Sequence, residues 1–339
     1  MSSTSFVHQV GGHPSTILSS PLSSSTLIKP ASATELAFYQ SVAPTLANGQ
    51  FRREWLPEFY GTLKLQGRVD GEAAETGEQP ADMLVLENLT HRFKKPNILD
   101  VKLGQVLYDP DTSSPEKVAK MEKAAATSTS GELGLRLTGF QVWDYERNEY
   151  VQTPKPFGRT LLSSELDLGL SRFFYPSLTA LSTAERSSSS SASSSSAPVS
   201  PATFPPSSPS DLILPILRTL VRRLQSLVES LKQLELRIRG SSLLIIIEGD
   251  PDQLERSLLR AAAARPEDDE EEDEDDEDDA ESTDEDGNAL EKTLIPFEIK
   301  MIDFAHTKQT LGQGYDEGVV LGVETLIKGL QGLIERIKQ

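Results

Sequence analysis

The sequence predicts an α/β (α+β) fold, because strand-like and helix-like hydrophobic patterns follow one another loosely along its 339 residues. Period-two alternation, as at 236–239, indicates strands, whereas apolar positions spaced by three and four, as at 217–231, indicate helices. Neither G-x-G-x-x-G after a first strand nor G-x-x-x-x-G-K-[ST] occurs. Dinucleotide-binding and P-loop folds are therefore disfavoured.

Two low-complexity tracts interrupt this pattern. Residues 187–196 include nine serines, and residues 267–286 include seventeen acidic side chains. Neither tract has enough apolar surface to offset its ordering entropy, so disordered insertions are predicted at 182–210 and 263–290. Without those seventeen acids the net charge of −19 becomes −2, which leaves room for a basic, anion-binding pocket.

The residue types also exclude several kinds of chemistry. The chain has no cysteine, which excludes disulfides, thiolate catalysis, thiolate zinc sites and iron–sulfur clusters. Its four histidines are too scattered to suggest a dedicated metal site. No apolar run approaches the roughly 20 residues of a membrane span, and no secretory signal pattern is present. We therefore expect a soluble intracellular protein.

Up to residue 126 the pattern alternates between short strands and helices. The predicted elements are a hairpin turning at Gly11–Gly12, a helix from Thr34, an exposed loop at 71–80, strands at 83–86 and 98–102, and a helix from Ser114. Ser114 is a suitable N-cap, and Pro115 and Glu116 suit the first helical turn.

The rest of the chain continues this alternation. The predicted elements are strands at 135–142 and 150–151, a helix at 161–174, a long helix capped by Asp211, strands at 236–239, 243–247 and 297–302, and a closing helix from about Asp316. Gly240 is expected to turn 236–239 back along 243–247. The leucine stripe at 217–231 is expected to pack on the core, since two heptads are too short to argue for a coiled coil.

Two short segments carry residue types suited to phosphoryl transfer. Asp100 and Lys102 alternate along a predicted strand, so their side chains share a face about 7 Å apart. They can hold a sugar hydroxyl and a phosphate, although an isolated D-x-K is more often an ion pair. Asp303 leaves a buried strand as a kinase magnesium ligand does, although an isolated aspartate there more often caps a turn.

In combination these motifs resemble the inositol polyphosphate kinase family. P-x-x-x-D-x-K-x-G at 96–104, G-S-S-L-L at 240–244 and I-D-F-A-H-T at 302–307 occur in the order of that family. Further similar segments are Q-V-G-G-H at 9–13, E-L-A-F-Y at 35–39, L-E-N-L-T at 86–90 with Phe93 and Pro96, S-R-F-F at 171–174 and D-E-G at 316–318. The resemblance covers nearly all of the chain outside the two tracts.

The resemblance implies a two-lobed fold, distantly like that of protein kinases, with ATP and Mg²⁺ between the lobes. The N-terminal lobe would span 1–95, and the C-terminal lobe would be assembled from 96–181, 211–262 and 291–339. Lys29, held by Glu35, would reach the ATP phosphates. The other implied nucleotide contacts are Glu87 and Leu89 at the adenine and Asp100 at the ribose.

For catalysis and substrate binding the resemblance implies a second group. Lys102 would contact the inositol or the transferred phosphoryl group, and Asp303 would ligate Mg²⁺, with Ser242 as a weaker candidate. His306 would lie at the substrate end. Lys117 and Lys120, one turn apart at a helix start, form a charged grip for inositol phosphates, the alternative being a solvated helix face. That alternative is stronger for Lys123.

The length of the chain at 104–131 narrows the substrate class. Only one or two short helices fit there. The resemblance implies that family members selective for inositol trisphosphate carry a larger helical insertion at this place. The multikinase branch, which extends trisphosphate to tetrakis- and pentakisphosphate, is therefore favoured. Hexakisphosphate kinase is the alternative.

The acidic tract raises a different kind of hypothesis, a nuclear scaffold that contacts basic nuclear proteins. The simpler interpretation is a solvated spacer. A pseudokinase is expected to lack Lys29, Lys102 or Asp303, and all three are present. We expect a monomer located in the nucleus and cytoplasm, with no membrane span and no direct binding of nucleic acid.

Overall fold

The computed structural model describes residues 5–11, 17–21, 23–64, 82–175, 209–263 and 296–339. The predicted loop at 71–80 and nearly all of both predicted insertions lie outside these residues. At the edges of the insertions, Pro209, Ser210 and Ala263 belong to helices. These three residues extend the flanking helices into the ends of the predicted insertions.

The N-terminal lobe is built on a four-stranded antiparallel sheet in the order β1-β2-β4-β3. Its strands are β1 (Leu18–Ser19), β2 (Thr26–Pro30), β3 (Phe59–Lys64) and β4 (Asp82–Glu87). Its helices are α1 (Ala33–Ala37), which continues through a π-helical turn at Phe38–Val42 and a 3₁₀ segment at Ala43–Gly49, and α2 (Gln50–Trp55). The hydroxyl of Ser32 accepts from the backbone N–H of Glu35 and caps α1, which confirms the predicted helix.

The C-terminal lobe is built on a five-stranded antiparallel sheet in the order β10-β9-β5-β6-β7. Its strands are β5 (Pro96–Leu103), β6 (Leu135–Asp144), β7 (Glu149–Thr153), β9 (Ser242–Glu248) and β10 (Phe297–Ile302). A separate two-stranded sheet joins β8 (Leu236–Arg239) to β11 (His306–Gln309). The predicted strands at 98–102, 135–142, 243–247 and 297–302 are confirmed.

Seven helices belong to the described part of this lobe. They are α3 (Pro115–Ala126), α4 (Thr129–Leu133), α5 (Lys155–Thr160), α6 (Leu166–Phe174), α7 (Pro209–Lys232), α8 (Pro251–Ala263) and α9 (Glu317–Lys338). The leucine stripe of α7 is buried in the main core, where α7 packs against α9. The side chain of Asp316 caps α9 and that of Ser114 caps α3, as predicted.

Three expectations about local structure are wrong. β8 pairs with β11 and not with β9, because β9 lies between β5 and β10 and has no free edge for a further strand. Leu161 and Leu162 are extended, so the helix predicted at 161–174 begins at Leu166. Asp211 lies inside the first turn of α7 and does not cap it. Among the described helices, none combines the length and apolar character that crossing a membrane needs.

Candidate active site

A cavity of about 380 Å³ lies between the two large sheets. Its walls include Leu27, Lys29 and Leu86 from the N-terminal lobe, residues 87–90 from the connection, and Ile98, Asp100, Leu244 and Asp303 from the C-terminal lobe. Residues 8–11 of the N-terminal segment close one side. The cavity is largely apolar with a few charged groups at one end, which is the usual composition of a small-molecule site.

The charged end is organised by Lys29. Its Nζ lies 2.7 Å from Oε1 of Glu35 and 2.5 Å from Oδ1 of Asp303. Although burial opposes the charge, the two carboxylates raise the pKa of Lys29 above its ordinary value. The same oxygen of Glu35 accepts the backbone N–H of Phe304 at 3.3 Å. The carboxylate of Glu35 therefore ties the ammonium of Lys29 to the segment that carries Asp303.

Asp303 adopts an unusual backbone conformation at the end of β10. Its φ of 66° lies in the left-handed region, which costs a non-glycine residue about 1–2 kcal/mol. The next residue holds it there: the buried ring of Phe304 stacks on Phe38 at a centroid distance of 4.1 Å. Thr34 adds a hydrogen bond to the carbonyl of Ala305. The Asp303 side chain remains 40% exposed and lines the cavity.

Asp100 is the second carboxylate of the cavity and is only 4% exposed. The hydroxyl of Ser242 donates to it, while its Oδ1 is buried with no hydrogen-bond partner in the described structure. Burial raises the pKa of Asp100 to about 6, partly opposed by that hydrogen bond. An unpartnered buried acceptor at a cavity wall fits a hydroxyl group of a ligand.

Glu87 and Leu89 lie in the connection between the lobes, where both line the cavity. Oε2 of Glu87 accepts the backbone N–H of Glu58, which fixes the position of this side chain. Leu89 packs with Phe93, Ile98 and Ile246 in a small apolar cluster separate from the main core. Two members of this cluster, Leu89 and Ile98, line the cavity and form an apolar wall beside the connection.

Lys102 and His306 mark the far side of the two carboxylates. Nζ of Lys102 donates to the carbonyl of Gly240 at 2.8 Å, and burial lowers the pKa of Lys102 despite the attraction of Asp100 and Asp303. Burial, together with the positive charges of Lys117 and Lys102, lowers the pKa of His306. Lys102, Lys117 and His306 therefore lie near one another.

The lysines of α3 are less constrained. Lys117, Lys120 and Lys123 are all exposed, and α3 has no buried residue. Lys117 interacts electrostatically with His306, whereas Lys120 lies one helical turn further on. Neither Lys120 nor Lys123 is among the residues that line the cavity. Of the predicted site residues, the fold thus gathers Lys29, Glu87, Leu89, Asp100 and Asp303 around the cavity, with Ser242, Lys102, His306 and Lys117 adjoining them.

Sequence analysis did not identify Arg136, Lys155 or Arg159 as site residues. Arg136 pairs with Lys102 across β5 and β6, and burial together with Arg159 lowers its pKa while Asp100 opposes this. Lys155 also interacts with the charge of Asp100. The sequence contains no local signal for these three residues, because they meet Asp100 only through the pairing of β5 with β6 and the placement of α5.

The residues present are compatible with a divalent metal ion that takes most of its coordinating oxygens from a bound phosphate compound and from water. The described residues contain no group of three or more histidine or acidic side chains that could hold a metal alone. Mg²⁺ commonly binds through one or two carboxylates together with phosphate oxygens and water. Asp303 provides such a carboxylate, and the hydroxyl of Ser242, which donates its hydrogen to Asp100, keeps oxygen lone pairs that could bind a metal.

Comparison with known proteins points to inositol phosphate kinases in each case. The family model described as inositol polyphosphate kinase matches residues 83–194 and 204–331. The inositol polyphosphate multikinase of Saccharomyces cerevisiae is 30% identical over 94% of this chain and 95% of its own length. Inositol hexakisphosphate kinase 3 of Mus musculus is 28% identical over 74% of this chain and 51% of its own length.

A solved structure is similar over most of the chain. It is the crystal structure of the inositol phosphate multikinase Ipk2 of S. cerevisiae in complex with ADP and Mn²⁺. The TM-score is 0.60 at 27% sequence identity, and the match covers 91% of this chain and 99% of that one.

Proposed function

The chain belongs to the inositol polyphosphate kinase family, and on that premise we propose that it is a multikinase of soluble inositol polyphosphates. It is an ATP-dependent kinase. Its proposed substrates run from inositol trisphosphate through tetrakis- to pentakisphosphate. One observation carries this proposal. An apolar cavity with Lys29 and Asp303 at its charged end adjoins a group of positively charged side chains, of which Lys102 is the one that interacts with Asp303.

The cavity supports a nucleotide lying across it. The apolar cluster at Leu89 suits the adenine, whose edge can reach the backbone of Glu87 and Leu89. The unpartnered Oδ1 of Asp100 can accept a ribose hydroxyl. Lys29 provides a positive charge for the phosphates, and Glu35 keeps that ammonium from turning away.

Phosphoryl transfer needs positioning and charge neutralisation more than covalent chemistry. A bound Mg²⁺ ion would be held by Asp303 and would neutralise charge on the phosphate oxygens. Lys102 interacts with the charge of Asp303 and, like Lys117, with that of His306, so its ammonium is suited to contact the transferred group. His306 and Lys117 would hold phosphates of the inositol ring.

The acceptor side supports broad substrate use. Its lysines are exposed on a helix without buried residues. They therefore attract phosphates through charge and select little for the shape of the substrate. Half-buried Arg136, which is the register partner of Lys102, and nearby Arg159 add positive charge. A site of this kind accepts inositol phosphates that differ in the number and position of their phosphates.

The test is incubation with ATP, Mg²⁺ and inositol 1,4,5-trisphosphate, followed by separation of the products by phosphate number. We expect tetrakis- and then pentakisphosphate. A parallel reaction with inositol hexakisphosphate separates the alternative, because a pyrophosphorylated product formed faster than tetrakisphosphate would favour hexakisphosphate kinase. Release of ADP without any new inositol phosphate contradicts both assignments.

Three wider expectations belong to the proposal. We propose a monomer, located in the nucleus and cytoplasm, whose acidic tract at 267–286 contacts basic nuclear proteins. The density of negative charge in the tract supports the last point. Imaging of the tagged chain with and without the tract tests the location, and sedimentation tests the oligomeric state. Binding to histones that survives deletion of the tract contradicts the proposed contact.

A further inference from the structure

Residues 5–11, which we call the strap, contact both lobes. At one end Ser5 forms a bridge with Leu18, and the backbone N–H of Phe6 donates to the carbonyl of Ile17 at 3.0 Å. In the middle of the strap, Nδ1 of His8 lies 2.9 Å from Nε2 of Gln141, which belongs to β6 of the C-terminal lobe. The strap therefore crosses the cleft beside the nucleotide cavity.

The contact between His8 and Gln141 has a defined direction. Gln141 is 1% exposed, and its Nε2 also donates to the carbonyl of Pro96 at 3.1 Å. An amide nitrogen only donates, so Nδ1 of His8 must accept the other hydrogen. The imidazole is consequently neutral when the contact is made, with its proton on Nε2.

The surroundings of His8 favour this neutral form. Its ring meets Phe6 and Tyr150 edge to face, at centroid distances of 5.8 and 5.3 Å. The charged group that faces it is Lys95, whose ammonium lies over Trp143. Burial and the charge of Lys95 lower the pKa of His8.

Two residues further along, the strap forms part of the cavity wall. Val10 packs against the apolar cluster that contains Leu89 and Ile98. The carbonyl of Val10 lies so close to Gly139 that a side chain there would overlap it, and a side chain on Gly11 would overlap the carboxylate of Asp100. A shift of the strap thus changes both the apolar wall and the surroundings of Asp100.

We propose that His8 and Gln141 are positioning residues, which fasten the strap across the cleft so that Val10 and Gly11 complete the nucleotide site. The inference rests on the proposed function, because it takes this cavity to be the ATP site. Gln141 is held by the buried carbonyl of Pro96 at the start of β5, the strand that carries Asp100. The contact therefore aligns the strap with the carboxylate that faces the ribose.

The test measures the Kd of ADP with Mg²⁺ by calorimetry, and the KM values of ATP and inositol trisphosphate. The variants are His8→Ala, His8→Asn and Gln141→Leu, with His91→Ala as a matched control because His91 is exposed and outside the cavity lining. We expect about three- to tenfold weaker ADP binding for His8→Ala and Gln141→Leu, the effect of one lost hydrogen bond.

Three further readouts separate positioning from a general structural effect. The Oδ1 of His8→Asn can accept from Gln141 as Nδ1 does, so that variant should recover most of the affinity. The KM of inositol trisphosphate should stay within about twofold throughout. The double variant His8→Ala with Gln141→Leu should bind ADP about as weakly as Gln141→Leu alone, since that variant already lacks the contact with His8.

Several results would overturn the inference. They are unchanged ADP binding in folded His8→Ala, equal losses in His8→Ala and His8→Asn, and equal rises in both KM values. Wild-type protein that binds no ADP, or that binds it equally well after Lys29→Ala, would contradict the proposed nucleotide site itself. If the wild-type protein binds ADP and His8→Ala binds it equally well, only the role of the strap is contradicted.

Discussion

At the proposed nucleotide end of the cleft, Lys29 and Asp100 are held by buried partners, whereas at the proposed inositol phosphate end Lys117 and Lys120 project from a helix with no buried residue. The first pair is fixed before any ligand arrives. The second pair keeps its rotamer freedom and its hydration until a ligand is bound. The difference teaches that one end of the cleft recognises shape, while the other recognises mainly charge.

The largest effect is expected at the junction of the two ends. Asp303→Asn removes the negative charge that is proposed to hold the metal, so kcat should fall at least about 100-fold, as for other groups that stabilise transition-state charge. Thermal unfolding should change little, because the side chain is 40% exposed. Asp252→Asn on the exposed start of α8 is the control. A variant that keeps more than about a tenth of the wild-type turnover, with its magnesium requirement unchanged, contradicts the metal assignment.

The next effect probes the charged end alone. Lys117→Ala combined with Lys120→Ala should raise the KM of inositol trisphosphate by about 3- to 30-fold and leave the KM of ATP unchanged, since exposed charge pairs contribute less than buried ones. The effect should shrink at high salt, where exposed charges are screened. Lys328→Ala with Lys338→Ala on α9 removes the same charge elsewhere. Equal rises in both KM values would show that these lysines do not distinguish the two ends.

A smaller effect probes the buried end through pH. The pKa of Asp100 in the ligand-free protein is about 6, and the ionised form is the one that accepts ribose hydroxyls. Affinity for ADP should therefore be constant above pH 7 and fall by up to about tenfold at pH 5, where about nine-tenths of the group is protonated. Asp100→Asn should bind ADP more weakly at pH 7 and with a flatter profile.

Protonation of His8 at low pH would also weaken ADP binding, because it would break the contact with Gln141. The pH dependence of ADP affinity is therefore measured in His8→Asn as well. An unchanged slope in Asp100→Asn, with the slope abolished in His8→Asn, would assign the pH dependence to the strap and not to the ribose carboxylate.

The smallest effect is expected outside both ends. Deleting residues 267–286 joins α8 to β10 by a shorter connection, and α8 has no residue in the cavity wall. Loop-closure entropy changes by only about 0.6 kcal/mol for each doubling of length, so kcat and both KM values should stay within about twofold. Steady-state kinetics and a melting curve of the deletion variant check this. A tenfold loss of activity would mean that the tract contributes to the site.

The two ends also differ in how well they could be predicted. Asp100, Lys102 and Asp303 lie in short motifs whose residues and order along the chain resemble those of the inositol polyphosphate kinase family. The cap of α3 was predictable from Ser114, because its hydroxyl satisfies a backbone N–H only three residues away. Local rules of this kind depend on neighbours in sequence and need no knowledge of the fold.

Contacts between distant segments could not be predicted in this way. β8 was expected to return along β9, but its partner is β11, about seventy residues further on. Arg136 reaches the site through strand register, and a shift by one residue would turn it to the other face of the sheet. Such choices depend on which strand edges remain free once the sheet has assembled.

The sequence by itself determined the family, the order of the elements and the residues at which phosphoryl-transfer chemistry is proposed, because each depends on residue type and local spacing. Only the tertiary structure decided how those residues are held. It joined the Glu35 carboxylate that holds Lys29 to the backbone of Phe304, buried Asp100 with one unpartnered oxygen, and laid the strap against Gln141. The physical reason is that burial, pKa and long-range hydrogen bonds are properties of neighbours in space, which the order of residues does not specify locally.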